Sequence, residues 1–391
     1  MIRLTPRGRS QLSSGLSVMV FPADSSGCGS HRLIWPSEVL IADGESITIV
    51  NTAERQMRIS FDRSGSVVKT DVPEWIDVVV LQRVTHQNLI AVIEFLRERG
   101  IAVVVDIDDD LKAIHPSNPA WISLHPRNMK ANENREFRGD PYHHSWQNLD
   151  LACRAATMVT VSASALLPLY SYGVGRVLNN YLADHYYTVS SSLEENVIGW
   201  PATLVSHPDD PGACGNAIGR LVGELGASFV CSCSANGVGK AFGLGDYVVS
   251  GKETETSIFD WPREISRLGI GIVPLSDTRF NRSKSWLKGL ELSAVGVPWV
   301  GSPRAEYLKL HSLGAGVLCS RPRDWYRELK TLVNSCAARE ELRGRGQEVS
   351  SQLRLRDNAW RWLEVWTEAA AIEKKLGKRQ RRDRLGWLAG R

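Results

Sequence analysis

The chain lacks an apolar run approaching the roughly 18 residues that a membrane-spanning helix needs. Its first apolar stretch, Leu16–Ala23, is too short for that and is followed by no cleavage pattern, so it reads as a first β-strand and not as a leader. Zinc spacing is missing as well. Of seven cysteines in 391 residues only Cys231 and Cys233 stand close together, and no second Cys or His pair follows at ligand distance. An odd number of scattered thiols in a long chain points to reduced cysteines and a cytoplasmic setting, the host cytoplasm if the gene belongs to a phage. Nucleotide signatures are absent too: there is no GxGxxG, and GVGKAF at 237–242 lacks both the first glycine and the Ser/Thr of a P-loop. Finally, the body of the chain carries no basic excess. Net charge is +4, but eight Lys/Arg against Asp383 within 374–391 give that segment +7 and leave −3 for everything else. A nucleic-acid-binding surface would therefore have to lie in the tail.

What is present is a long alternation of short β-branched runs and helical patterns, the signature of βαβ units with parallel sheets. Ile76–Leu81 is a buried strand by its unbroken apolar run. Leu89, Val92, Ile93 and Leu96 form a helical stripe ending at Gly100, and Ile101–Val105 is the next strand. Thr157–Val161 and Gly175–Leu178 continue the series. A second series opens with Val197 and Ile198, passes through a helix at Ile218–Leu225 and strands at Ser228–Cys233, Tyr247–Val249 and Leu268–Leu275, and closes with Val297–Val300 and Gly316–Cys319. The polar stretch Ala183–Leu193 joins the two. The expected fold class is α/β, with two Rossmann-like doubly wound domains facing a cleft. The expected domains are 1–182, 183–350, a docking helix at 351–373 whose Trp360, Trp362, Leu363 and Trp366 demand a packing surface, and a basic tail at 374–391.

Ligands of doubly wound sheets bind beyond the carboxyl ends of the strands, so residues just after strands are the ones to inspect. After the first strand, Gly27 and Gly29 allow close backbone approach to a ligand, and Arg32 could clamp a phosphate or a sugar; an ordinary turn is the competing reading. After IAVVV comes DIDDDL. Its Asp106, Asp108 and Asp109 could hold a metal, orient hydroxyls or supply a base, or could simply be acids of a solvated loop at a helix start. After LGIGIVPL lies FNRSKSWLKGLELSAVGVP. Leu287, Leu290 and Ala294 form an apolar stripe, while Asn281, Lys284, Ser285, Lys288 and Glu291 form a polar file at the same period. Two amines beside a helix N-terminus suit a diphosphate, and a carboxylate one turn deeper suits the vicinal hydroxyls of a ribose.

At Pro274, Leu275, Phe280, Asn281, Lys284, Ser285, Lys288, Glu291, Gly296, Val297 and Pro298 the sequence resembles GT-B glycosyltransferases with a glycogen-synthase-like second domain. The order DIDDDL, HPSNPAW, ATMVTVS, VLNNY and GWPATLVSHPDD looks like that of glycosyltransferases from actinobacteria and their phages. The resemblance implies a UDP- or GDP-sugar donor with no metal required. It implies donor diphosphate contacts for Lys284, Ser285 and Lys288 and a nucleotide-ribose contact for Glu291, with Asp106, Asp108 or Asp109 facing the acceptor or the sugar; Asn281, Gly27, Gly29, Arg32 and Trp200 are the further expected donor contacts. The acceptor would be a phage or bacterial macromolecule, either a virion or surface protein or a modified DNA base. His143, His144 and Trp146, in an insertion of about 45 residues in the first domain, are its expected contacts. Three departures stand out: Ala202 and Thr203 fall where many relatives have a second glycine, SCSANGVGK offers only Lys240 where many have an Arg and Lys pair, and Ser283 falls where many have an acid. The rival classes are a nucleic-acid-binding protein and an inactive sugar-nucleotide-binding module.

Overall fold

The computed structural model describes residues 15–50, 57–124, 145–191, 197–245, 249–251 and 256–376, without the side chains of 122 and 123. His143, His144 and the tail from 377 onward lie outside the described residues, as does most of the strand expected at Tyr247–Val249.

The first domain is built on β1 (Ser17–Phe21), β2 (Ser46–Ile49), β5 (Val78–Gln82), β6 (Ala102–Ile107), β7 (Met158–Val161) and β8 (Gly175–Val177). They form one sheet in the order β2-β1-β5-β6-β7-β8, with every pairing parallel. The central runs VVVLQ and AVVVDI are buried along their whole length, as expected when helices cover both faces of a sheet. An antiparallel hairpin of β3 (Ile59–Phe61) and β4 (Val67–Thr70) is appended outside it. The helix α1 (Gln87–Glu98) supplies Val92, Ile93 and Leu96 to the core, and His86 caps its first turn by accepting from the amide of Asn88.

The second domain holds β9 (Val197–Trp200), β10 (Ser228–Cys231), β11 (Ile270–Val273), β12 (Trp299–Gly301) and β13 (Val317–Leu318), all parallel, in the order β10-β9-β11-β12-β13. In both sheets the winding direction reverses once, between β1 and β5 and between β9 and β11. Those reversals open crevices beyond the strand ends.

The helix after β11 departs from its sequence pattern. A short 3-10 turn covers Asn281–Ser283, Lys284 is extended (ψ 142°), and the helix proper, α2, runs Leu287–Ala294. Lys284 and Ser285 therefore precede the helix instead of sharing its face with Lys288 and Glu291. Trp286 explains the break: it is buried and its indole Nε1 donates to the carbonyl of Asn180 in the first domain at 2.7 Å, which fixes the chain in an extended step before helix can start. Gly296 ends the segment in a left-handed conformation (φ 74°), where a side chain would be strained and would crowd Gln347.

At the carboxyl end the helix α3 (Trp360–Lys375) returns to the first domain. Trp362 and Trp366 are buried, Trp362 Nε1 donates to the carbonyl of Arg32 at 2.8 Å, and Glu373 is enclosed with Arg97 (2.9 Å) and Thr157 (2.7 Å). Among the described residues no helix is long and apolar enough to cross a membrane.

Candidate functional site

The two crevices face each other. On the first-domain side the segment 27–42 is helical and contains a π turn at Ser30–Ile34, which turns both His31 and Arg32 inward. Gly29 sits against the carbonyl oxygen of Asp24, where an added Cβ would come within 1.8 Å, so this glycine is required by its own loop; Gly27 has open space around it. Arg32 is buried. It forms a forked pair with Asp106 (Nε to Oδ2 3.1 Å, Nη2 to Oδ1 2.7 Å) and donates to Asn180 Oδ1 at 2.9 Å and to the carbonyl of Leu178. Asp106 also accepts from Thr160 Oγ1 at 2.6 Å. The expected phosphate clamp and the expected catalytic acid thus meet each other in the interior: a strand-end carboxylate with no water access needs a cation, and Arg32 supplies it.

The remaining carboxylates of DIDDDL are likewise matched. Asp108 is gripped by Arg83, with Nε to Oδ1 at 2.5 Å and a second contact from Nη2. Burial disfavours the charge on Asp108, yet the guanidinium overrides it and holds the carboxyl below its ordinary range. Arg83 was missed by sequence reasoning. It follows β5 directly, adopts a left-handed backbone (φ 53°) rare for a side-chain-bearing residue, and places Nη2 2.9 Å from Cys28 Sγ. Asp109 reaches across the cleft to Lys284, both carboxylate oxygens lying 2.9 Å from Nζ. Burial pushes the Asp109 carboxyl upward against the pull of that lysine. Asp110 also crosses, to Arg279 (Nε to Oδ2 2.6 Å), and accepts from Tyr170 at 2.7 Å.

On the second-domain side Lys288 projects from the first turn of α2 and donates from Nζ to His207 Nε2 at 2.9 Å. Burial and the neighbouring Lys284 cation lower the Lys288 amine to about 8. Ser285 Oγ accepts from Asn180 Nδ2 at 3.2 Å. Asn281 is buried and turned inward, giving its amide to Asp210 Oδ1 at 2.6 Å. Glu291, one turn beyond Lys288, is enclosed: Tyr186 donates to it at 2.7 Å and Trp261 at 3.2 Å, and the rings of His31, Trp35 and Tyr186 stack nearby. His31 Nε2 lies 3.7 Å from the carboxylate but burial keeps that imidazole neutral, and burial of Glu291 outweighs its hydrogen bonds and the pull of Lys288, raising it to about 7. Trp200, the last residue of β9, lies in the second domain's core against Phe242 and does not reach the cleft. The physical reason is the strand's alternation, which points this position under α4 (Ala217–Leu225) instead of outward. Trp146 sits on the helix α5 (Ser145–Ala155), and its two expected histidine companions fall outside the described residues.

The arrangement brings together Asp108, Asp109, Lys284, Ser285 and Lys288, leaves Asp106, Arg32, Asn281 and Trp200 in interior positions, and sets Glu291 behind Tyr186. No family profile and no curated protein matches the chain by sequence. Solved structures do match by shape. Anabaena HepE in complex with UDP-glucose gives a TM-score of 0.57 at 11% identity over 89% of this chain and 99% of that one. Sucrose-phosphate synthase from Thermosynechococcus elongatus gives 0.57 at 10% identity over 91% and 99%. A glycosyltransferase from Rickettsia africae gives 0.53 at 11% over 90% and 98%. The fold is GT-B. In GT-B terms the acid-bearing wall belongs to the first domain and the lysine-bearing wall to the second, and the returning helix α3 ties the second half of the chain to the first domain.

Proposed function

We propose that the chain transfers a glycosyl group from a nucleoside diphosphate sugar to an acceptor hydroxyl. The observation that carries this reading is the pair Lys284 and Lys288 at the strand-end crevice of the second sheet, held by a carboxylate of the opposite wall and by a neutral imidazole. Two ammonium groups, one paired with a carboxylate that a ligand can displace and one held by a neutral ring that leaves its charge unmatched, are suited to a diphosphate, and they stabilise the charge that develops as it departs. In the transfer the bond from the anomeric carbon to the phosphate oxygen breaks, with its electron pair leaving on the diphosphate, and a bond to the acceptor oxygen forms. The Asp109 carboxylate, released from Lys284 and made more basic by burial, takes the acceptor proton. The reading needs no metal: Asp106, Asp108, Asp109 and Asp110 each have a cation of their own. The acceptor that the sequence resemblance suggests is a phage or bacterial protein or a modified DNA base, entering from the first-domain side.

The test is turnover of UDP- and GDP-sugars by the full chain, including slow hydrolysis without acceptor, in the presence of EDTA. Retained turnover of one donor is expected. Binding of UDP or GDP without turnover of any sugar would leave a binding module, and activity abolished by chelation and restored by manganese would overturn the metal-free assignment.

A further inference from the structure

The loop after β9 carries a group that neither the strand pattern nor the acid cluster singles out. His207 is nine-tenths buried, and its two ring nitrogens have different partners. Nδ1 lies 2.8 Å from Asp210 Oδ2, while Nε2 lies 2.9 Å from Lys288 Nζ. An ammonium only donates, so Nε2 must accept, and the ring proton must sit on Nδ1 and be given to Asp210. Asp210 is fixed in turn. Its Oδ1 accepts from Ser276 N (3.0 Å), Ser276 Oγ (3.1 Å) and Asn281 Nδ2 (2.6 Å). One carboxylate therefore ties the loop after β9, the loop after β11 and the 3-10 turn ahead of α2 to a single lysine.

We propose that Asp210 and His207 are positioning residues for Lys288: the carboxylate fixes the imidazole as its Nδ1–H form, and Nε2 then holds the ammonium where the donor diphosphate arrives. This rests on the reading that Lys288 meets that diphosphate. A lysine stem has four rotatable carbons, and fixing it before the ligand binds removes an ordering cost from the binding step. A neutral ring serves better here than a third cation. Burial and the Lys288 charge lower His207 to about 4, so it accepts from Lys288 throughout the neutral range and adds no repulsion to the two lysines. The charged and titratable groups facing Lys288 are Lys284, which favours loss of its proton, and Asp210, Cys233 and Glu291, which favour its retention. Asp210 thus keeps Lys288 both in place and in its ammonium form.

The experiment is calorimetric titration of the full chain with UDP near pH 6 and near pH 8, for the wild type, K288A, D210N, H207L and H207Q, with melting temperatures taken without ligand. K288A is expected to weaken UDP binding and flatten its pH dependence; UDP binding equal to the wild type would refute the diphosphate reading of Lys288 itself. In D210N the new amide would donate to Nδ1, force the ring proton onto Nε2 and turn an acceptor for Lys288 into an opposing donor. The expected loss is about threefold or more near pH 6, where the opposed N–H displaces the ammonium, and about tenfold near pH 8, where loss of the carboxylate charge also lets Lys288 shed its proton. H207L should follow D210N. H207Q, whose amide can donate to Asp210 and accept from Lys288, should recover part of the loss, and this pair carries the test if D210N does not fold. If K288A weakens UDP binding while D210N and H207L match the wild type, or if H207Q recovers none of the loss seen in H207L, the positioning role is overturned and the diphosphate reading stands.

Discussion

The two walls of the cleft carry opposite charge and satisfy it differently. On the first-domain wall Asp106 and Asp108 are neutralised within their own domain by Arg32 and Arg83, whereas Asp109 and Asp110 borrow Lys284 and Arg279 from the other wall. The second-domain wall holds Lys284 by that bridging carboxylate and Lys288 by the neutral ring of His207. A pair sealed inside one domain persists whatever binds, and its purpose is to hold strand ends. A pair that bridges the cleft is the kind that a bound anion of higher charge would exchange, as the proposed donor site requires. The same comparison separates the buried carboxyls. Asp106 has a cation and needs it, while Glu291 has the hydrogen bonds of Tyr186 and Trp261 and a neutral His31 beside it and is held nearer to neutrality.

The sharpest way to break this contrast is Arg32→Ala. It strands Asp106 in the interior without its cation, and the expected loss is about 3–5 kcal/mol in a urea melt. A loss under about 1 kcal/mol would mean that this pair is no more structural than those crossing the cleft. Lys284→Ala probes the other kind. Its own stability should change little, but protection by UDP, which reaches about 2.7 kcal/mol at a hundredfold excess over Kd, should largely vanish from the thermal shift. Full protection in the variant would remove Lys284 from the donor site.

Glu291→Gln tests the buried carboxyl that burial holds nearer to neutrality. Its folded-state pKa is raised to about 7 from an ordinary 4.5, so its contribution to stability is complete below the lower value and is lost as pH rises through the upper one. Relative to the wild type, the variant should therefore gain about 2 kcal/mol between pH 5 and pH 8, read from denaturant melts at both. A pH-independent difference would place Glu291 in its charged form throughout. The smallest effect is expected from Arg279→Ala: its side chain is 57% exposed, but Asp110 is fully buried and would keep only the Tyr170 hydroxyl, so a loss of about 1–2 kcal/mol is expected in a melt, well below that of Arg32→Ala.

Much of the architecture was legible because buried parallel strands are written as unbroken apolar runs: IDVVVL, IAVVV and LGIGIVPL each overlap an observed strand. The edge strand SITI and the hairpin at 59–70 were not, since half-exposed strands mix polar residues into the pattern. In the site, Lys284 and Lys288 could be picked out by their position after a strand, but their place on one helical face could not, because Trp286 is anchored by the other domain. His207 stood only in a segment of likeness. Its significance lies in Asp210, three residues on, and in Lys288, 81 residues away.

What the sequence by itself determined is the alternation of strands and helices, the gathering of acids after β6 and of amines after β11, and hence two opposed walls, because these follow from local period and from residue order along the chain. Which charges remain available was decided only by tertiary structure. Arg32 and Asp106, 74 positions apart, neutralise each other in the interior, while Lys284 and Asp109, 175 apart, meet across an opening. Charge pairing depends on distance and dielectric, and neither exists until the two sheets have formed and faced one another.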